Sequence, residues 1–313
     1  MGRAFVFPGQ GAQAIGMGKA LAETWPAARL VFEEVDEALG EKLSTLVWQG
    51  DPEALTLTRN AQPALMATSL ATMRALEAEG VSLAAADCVA GHSLGEYSAL
   101  AAAGALSLGD AARLLRARGE AMQAAVPVGD GAMAALLGAS LEAARNMAAR
   151  AAQNGVCQVA NDNDPTQVVI SGHRAAIERA LELAREEGIK RAVMLPVSAP
   201  FHCALMAPAA EAMANALGRV QIDPPKLPLV ANVLAHRIHD PALIRSLLVE
   251  QITAMVRWRE SVLNMASEGI TEIWEIGAGK ALSGMVRRID RRILCRNIAT
   301  PQDVRAAAES LGG

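Results

Sequence analysis

Gly91-His92-Ser93-Leu94-Gly95 constrains this chain more than any other stretch. A short apolar run, Cys88-Val89-Ala90, leads into it, and an alanine-rich, helix-favouring run from Glu96 to Ala105 follows. A Gly-x-Ser-x-Gly pattern between a strand and a helix is the setting of a nucleophile elbow. The chain must turn sharply there, and the two glycines let the backbones pass closely. The serine hydroxyl then stands at the tip of the turn. The backbone N–H of Leu94 falls at the helix N-terminus, where donors are unpaired and the dipole favours negative charge. A serine so placed can attack a carbonyl and have the resulting oxyanion stabilised beside it.

An elbow of this kind needs alternating strands and helices around it, and the chain supplies them. Residues 3–7 read as a first strand, followed by a glycine-rich loop over 8–18. Helical patterns cover 19–39 and 64–79, and Asp110 reads as the N-cap of a helix that runs to about Ala125. Pro127-Val-Gly-Asp-Gly131 is a breaker cluster and marks a boundary. Beyond it the order is strand 133–137, helix 141–153, strands 156–160 and 167–171 joined by the turn-rich Asn161-Asp-Asn-Asp-Pro165, helix 175–187 and strand 191–196. That β-α-β-β-α-β order is the ferredoxin-like unit. Helices 205–217, 241–255, 259–267 and 280–289 then accompany strands 227–232 and 271–276, and a last strand and helix close the chain. The expected fold is α/β. A large α/β-hydrolase-like domain with a mostly parallel sheet takes residues 1–127 and 198–313, and an inserted ferredoxin-like small domain takes 128–197.

Composition removes several classes of function. Of the 313 residues 52% are hydrophobic and 3% aromatic, and the formal net charge is −4. This is a core-forming composition, not a disordered one. The acidic balance argues against bulk nucleic-acid binding. No basic segment followed by a long apolar stretch opens the chain, so no signal peptide is read. Gly2 invites a myristoylation reading, but Val6 stands where Ser or Thr is wanted. No apolar run nears the ~18–20 residues of a spanning helix, and the longest, 98–108, reads as a buried helix. The expectation is a cytoplasmic protein with no membrane partner, and a monomer, since nothing in the sequence demands an oligomer. Cys88, Cys157, Cys203 and Cys295 are scattered and read as buried small hydrophobes in a reducing compartment. His236-x-x-His239 is the one close histidine pair, with no third ligand in view, so neither a metal nor a bound cofactor is expected.

A serine nucleophile needs a base. His92 adjoins Ser93, but adjacent side chains diverge on a sharp turn, and His173, His236 and His239 lie in polar, turn-like surroundings. His202 follows Val197-Ser-Ala-Pro-Phe201, where the inserted unit rejoins the main domain, and can face the elbow across a cleft. The alternative is a satisfied structural histidine. On a 3.6-residue period Arg118 shares a face with Ala111, Leu114, Leu115 and Met122, while Arg113 and Arg116 fall on the face expected in solvent. Arg118 is either a snorkelling or internally paired arginine, or a guanidinium held in a partly dry site to grip a carboxylate with two hydrogen bonds. A desolvated arginine without a partner is costly, so some anion is implied either way. The loop at Pro8-Gly9-Gln10-Gly11-Ala12-Gln13 loosely fits a dinucleotide fingerprint as Gly9-x-Gly11-x-x-Ala14. Glu33 and Glu34, at the distance of the ribose-binding acid, lie in a helical pattern instead of ending a second strand. The other reading is that this loop lends a second backbone N–H to an oxyanion hole.

Seven motifs carry a resemblance: Phe7-Pro-Gly-Gln-Gly11, Asn60-Ala-Gln-Pro-Ala64, Gly91-His-Ser-Leu-Gly-Glu-Tyr97, Arg118-Gly-Glu-Ala-Met122, Gln167-Val-Val-Ile-Ser-Gly172, Pro200-Phe-His202 and Gly277-Ala-Gly-Lys280. In these motifs and their order the chain, from Phe5 to about Ile298, resembles the malonyl-CoA:acyl carrier protein transacylases of bacterial fatty-acid synthesis. The resemblance implies that Ser93 is the acylated nucleophile and His202 its base, and that Arg118 binds the free carboxylate of the malonyl group. It implies an oxyanion hole from the N–H groups of Gln10 and Leu94. Gln251 matches the residue that orients the histidine through a carbonyl, so the active pair is a Ser–His dyad. Asn161 matches a position near the cleft wall. Phe201 precedes the base, and in related polyketide acyltransferases a bulky aromatic there goes with malonyl. Gly277-Ala-Gly279 stands where the family often has Gly-Pro-Gly. The implied partners are malonyl-CoA, as thioester substrate, and acyl carrier protein, whose phosphopantetheine arm accepts the acyl group in a ping-pong cycle.

Arg287 and Arg288, in a basic cluster with Arg291 and Arg292, are a candidate docking surface for the acidic carrier. Lys190 and Arg191 are a second candidate, and a solvated charged face is the alternative for both. Within enzymes the rival is a serine esterase, opposed by Arg118 in its apolar stripe and by the insertion. A malonyl transferase for polyketide assembly or malonate decarboxylation shares the same chemistry. An intact Ser93, His202 and Arg118 argue against a catalytically silent scaffold.

Overall fold

The computed structural model describes residues 2–189, 191–197 and 199–311. Its strands are β1 (Gly2–Phe7), β2 (Cys88–Gly91), β3 (Gly131–Leu137), β4 (Cys157–Asp164), β5 (Gln167–His173), β6 (Arg191–Met194), β7 (Leu229–Val230), β8 (Arg237–Ile238), β9 (Ile270–Ile276) and β10 (Leu294–Ile298). They form two sheets, one ordered β10-β9-β1-β2-β7-β8 and the other β4-β5-β3-β6. In the first sheet every pair is parallel except β7 with β8. Its central strand β1 buries Ala4, Phe5, Val6 and Phe7 in an unbroken run. Such a run is what a strand covered on both faces requires. β1 also sets the register that matters, because it pairs Phe7 with Gly91 and so places the end of β2 at the sheet's edge of exit.

In the second sheet every neighbouring pair is antiparallel. The helices Leu141–Ala152 and Arg174–Glu186 lie between its strands in sequence and bury small apolar faces, including Ala144, Met147, Ile177 and Ala180, in a core of their own. The mixed α/β class and the mostly parallel main sheet agree with the sequence reading. β4 is the strand that ties the two sheets together. Asp162 N donates to Val256 O at 3.0 Å and Val256 N to Ala160 O at 2.9 Å. Arg259 grips the Asp162 carboxylate at 2.9 Å, and Arg288 grips the buried Asp164 carboxylate at 2.9 Å.

Several local expectations are corrected, each for an identifiable reason. Residues 161–165 were expected as a turn, yet β4 continues through Asp164. The cross-links to Val256, Arg259 and Arg288 outweigh the turn preference of Asn and Asp. The helical pattern at 19–39 is two helices, Lys19–Thr24 and Pro26–Leu39. Pro26 has no N–H to continue the first helix and forces Trp25 into an extended backbone. The N-cap of the helix Leu108–Ala124 is Ser107, not Asp110: the Ser107 hydroxyl accepts from Asp110 N, and Asp110 sits in the first turn. The helix expected over 98–108 is Gly95–Ala102, and that over 241–255 is Pro241–Glu250. The early stop leaves the Gln251 carbonyl outside the helix ladder and open to a side chain.

The helix Leu108–Ala124 buries the stripe of Ala111, Leu114, Leu115, Arg118 and Met122. It crosses the helix Thr58–Ala78 at Gly119, where an added Cβ would lie 2.5 Å from Arg59 Cα and 2.7 Å from Thr58 O. This close crossing brings Gln62 alongside Arg118. Replacing Gly119 with alanine must separate the two helices, and overpacking of this kind costs about 1–3 kcal/mol. Denaturant titration of Gly119→Ala against wild type measures that loss.

Candidate active site

The elbow is built from backbone pressed on backbone. A Cβ on Gly91 would lie 1.9 Å from the Gly95 carbonyl carbon, and one on Gly95 would lie 2.3 Å from Phe7 O. No side chain larger than hydrogen fits either position, and between them Ser93 is held at φ 54. A non-glycine residue in this region is strained and persists only where its surroundings fix it. Asn232 supplies part of that fixing: its Oδ1 accepts from Ser93 N at 2.7 Å and its Nδ2 donates to Gly91 O at 2.7 Å.

Ser93 Oγ lies 2.8 Å from His202 Nε2. His202 also has a positive φ, 57. Its Nδ1 lies 2.8 Å from the backbone carbonyl of Gln251. A carbonyl can only accept, so Nδ1 carries the proton and Nε2 presents its lone pair to the serine hydroxyl. Burial and the nearby Arg118 charge push His202 down to about 3, against the bond to Gln251, which works upward. The imidazole is therefore held in its neutral form.

Arg118 is 1% exposed. Its Nη1 donates to Gln62 Oε1 at 2.8 Å, and its Nη2 donates to Gln251 Oε1 at 2.8 Å and to Ser93 Oγ at 3.1 Å. The guanidinium lies over the Tyr97 ring, 5.8 Å from its centroid. These hydrogen-bonding partners are all neutral, and burial lowers the arginine's hold on its proton. The stripe reading of Arg118 holds. Arg113 is exposed as expected, but Arg116 is not: it is 11% exposed and bound to Glu41 and to Asn60 Oδ1.

Behind these groups lies a buried carboxyl, Glu96. It accepts from Asn232 N at 2.7 Å and from Gln251 Nε2. Burial pushes it up to about 8. In front lies a cleft of about 480 Å³ with walls from both sheets. Gln10, Ser93, Leu94, Arg118, Phe201 and His202 line it, and Asn161 and Asn163 of β4 face them. Gln10 turns its side chain to Thr58. Among the described residues, no hydrogen bond within the chain uses the backbone N–H of Gln10 or of Leu94.

The structure thus brings Ser93, His202, Arg118, Gln10, Leu94, Gln251, Asn161 and Phe201 to one place. His92 also lines the cleft, with its Nε2 2.9 Å from Asn163 Oδ1 on the facing wall. His236 and His239 are exposed on either side of β8, and His173 bonds Val156 N. Arg287, Arg288 and Arg191 are exposed, and Arg288 also pairs with Asp164. Lys190 lies outside the described residues. Three residues escaped the sequence reading as members of the site: Glu96, Asn232 and Gln62. Glu96 and Gln62 sit inside the quoted motifs, and that position was the available signal. Asn232 had none.

A strained serine beside a neutral histidine, with a dry guanidinium touching the same hydroxyl, defines an acyl-transfer site. Residues 4–287 match the family described as the acyl transferase domain, and the chain belongs to that family. Within it, the chain is 48% identical to the malonyl CoA-acyl carrier protein transacylase of Bacillus subtilis (strain 168), over 98% of this chain and 96% of that one. The crystal structure of acyl-carrier-protein-S-malonyltransferase from Bartonella henselae superposes with a TM-score of 0.98 at 54% identity, covering 100% of both chains. A type II PKS acyl-carrier protein in complex with its malonyl-transacylase gives a TM-score of 0.96 at 39% identity, covering 99% of this chain and 100% of that one.

The depressed His202 pKa has a measurable sign. Its folded value lies below the unfolded value of about 6.5. The stability it contributes is complete above pH ~6.5 and is lost as pH falls toward 3, because the unfolded chain takes up the proton first. Between pH 7.5 and pH 5 the wild type should lose about 2 kcal/mol more than His202→Gln. Denaturant titrations of both proteins at the two pH values check this.

Proposed function

We propose that this protein transfers the malonyl group from malonyl-CoA to the phosphopantetheine thiol of acyl carrier protein, through a malonyl-Ser93 intermediate. One observation carries the reading: Ser93 Oγ is 2.8 Å from His202 Nε2 and 3.1 Å from Arg118 Nη2. A nucleophile that touches both its base and a buried cation suits an acyl group with a carboxylate at its far end. The names of the relatives support the same substrate pair.

His202 Nε2 takes the Ser93 proton as Oγ attacks the thioester carbonyl. The Gln10 and Leu94 N–H groups hold the oxyanion. The C–S bond breaks, and CoA leaves as the thiol with the proton carried by His202. Arg118 meanwhile binds the malonyl carboxylate, exchanging neutral acceptors for a charged one. The carrier thiol then gives its proton to His202, attacks the ester and restores Ser93. The Gln251 carbonyl keeps the imidazole in the required tautomer throughout. Phe201 and Asn161 wall the acyl cleft, and the phenyl ring beside the base leaves little room for an α-methyl group. No cofactor takes part.

We read the architecture behind this as an α/β-hydrolase-like large domain, 1–127 and 198–313, holding a ferredoxin-like small domain, 128–197. The strand order β4-β5-β3-β6 supports the latter. Among the described residues no helix is long and apolar enough to cross a membrane, and we place the enzyme in the cytoplasm as a monomer. The helix Ala281–Ile289 begins at the cleft with Ala281, Leu282 and Met285 and ends at exposed Arg287, which suits a docking point for an acidic carrier. Arg288 adjoins Arg287 in sequence, and Arg191 belongs to a second, separate candidate surface with Lys190. A second reading, transfer to a polyketide carrier, is favoured by the similarity to the transacylase bound to a type II PKS carrier.

Intact-protein mass after mixing with malonyl-CoA, followed by holo-acyl carrier protein, tests the reading. Wild type should gain a malonyl adduct and lose it to the carrier, Ser93→Ala should gain none, and Arg118→Ala should lose malonyl transfer far more than acetyl transfer. An adduct released only to water would establish a hydrolase. Arg287→Glu should raise the apparent KM for carrier several-fold and leave that for malonyl-CoA unchanged, as steady-state kinetics would register.

A further inference from the structure

Glu96 lies one residue beyond the groups that meet the acyl chain. Its two carboxyl oxygens are taken by donors from separate parts of the chain: Asn232 N at 2.7 Å, and Gln251 Nε2. Each of those residues has a second task. Asn232 Oδ1 accepts from Ser93 N at 2.7 Å. Gln251 presents its backbone carbonyl to His202 and its side-chain Oε1 to Arg118, both at 2.8 Å. Glu96 is 2% exposed and Gln251 0% exposed, so water offers neither a substitute partner.

The orientation of the Gln251 amide is the critical point. An amide has an acceptor end and a donor end of nearly equal size. Arg118 can only donate, so Oε1 must face it. The NH2 end must then find an acceptor in a dry place, and it finds Glu96 together with Ser93 O at 3.0 Å. Without an acceptor at position 96 the NH2 group loses a partner, and an unsatisfied buried donor is strongly disfavoured. The amide then rotates or withdraws, and the guanidinium loses one of its oxygens.

We infer that Glu96 is a positioning residue for acyl-group selection: through Gln251 it sets the Arg118 guanidinium in the place where a substrate carboxylate is read. The inference rests on the transfer reaction proposed above. Glu96 touches neither substrate nor Ser93 Oγ, and it acts through the amide it holds. Above about pH 8, where the carboxyl is ionised, replacing it with glutamine conserves size but turns one of two acceptors into a donor, which must face either Gln251 Nε2 or Asn232 N. Because the guanidinium serves only acyl groups that carry a carboxylate, the damage falls unequally on substrates.

The test compares wild type and Glu96→Gln at pH 9, where Glu96 is ionised, for the rate of acyl-Ser93 formation from malonyl-CoA and from acetyl-CoA, with thermal midpoints measured alongside. The malonyl rate should fall about 10- to 100-fold, the range set by misplacing a positioned group by about 1 Å. The acetyl rate should fall far less, so the malonyl-to-acetyl ratio drops. A Glu96→Gln ratio equal to that of wild type overturns the inference, whatever the absolute rates. A wild type that forms no malonyl-serine overturns the proposed function itself, which is a separate result. If Glu96→Gln does not fold, the exchanged pair E96Q/Q251E keeps a donor at 96 against an acceptor at 251, gives up the bond to Ser93 O and sets a carboxylate permanently against Arg118. That protein should acetylate and show no preference for malonyl; a retained preference overturns the inference.

Discussion

A guanidinium taken out of water and given only neutral oxygens is an unfinished interaction, and much of this molecule is arranged to tolerate it. Arg118 cannot shed its charge at any ordinary pH, so the fold surrounds it with Gln62, Gln251, Ser93 and the face of Tyr97. Each of these softens the desolvation without cancelling the charge. The result is a site with standing affinity for an anion. Burial first, and the same charge second, depress His202 and keep the imidazole neutral beside the serine. In the proposed reaction one buried cation would therefore act on both the binding and the proton-transfer side of the site.

The supports of the site are drawn from widely separated stretches. Gly91 and Gly95 allow the elbow, Gly119 allows the helix crossing that delivers Gln62, and the early end of the helix Pro241–Glu250 releases the Gln251 carbonyl. Asn232 reaches back to brace both Ser93 and Gly91. These contacts fix the hydrogen-bond donors and acceptors of the site from several directions at once, and preorganisation of that kind is where electrostatic catalysis draws its strength.

The contrast between what the sequence revealed and what it concealed has physical causes. The elbow was legible because glycine is the only residue that permits it, and Arg118 because a charge interrupts an apolar period. Position among five histidines left His202 as either a base or a structural histidine, and the family resemblance implied the base. The alternation of strands and helices gave the α/β class and the order of elements. Asn161 to Asp164 misled because Asn and Asp next to Pro favour a turn, and the arginines that straighten the strand come from residues 259 and 288. Asp110 misled because Ser107, three residues earlier, is the better cap. Glu96, Asn232 and Gln62 stayed hidden for one reason: a helix-favouring or loop-favouring polar residue reveals nothing about a partner that lies more than fifty positions away.

The two walls of the cleft belong to different hydrogen-bond lattices. Ser93 stands on the parallel sheet, and Asn161 and Asn163 stand on β4 of the antiparallel one. The width of the gap between them is therefore a mechanical dimension, fixed by how firmly β4 is pinned to its neighbours at Val256, Arg259 and Arg288. Those pins lie outside the Ser93–His202–Arg118 cluster; Arg288 is open to solvent and Arg259 is half-buried. The jaw of the cleft is thus braced partly from outside it, by the half-buried Arg259 and the exposed Arg288, while none of these braces is a member of the Ser93–His202–Arg118 cluster.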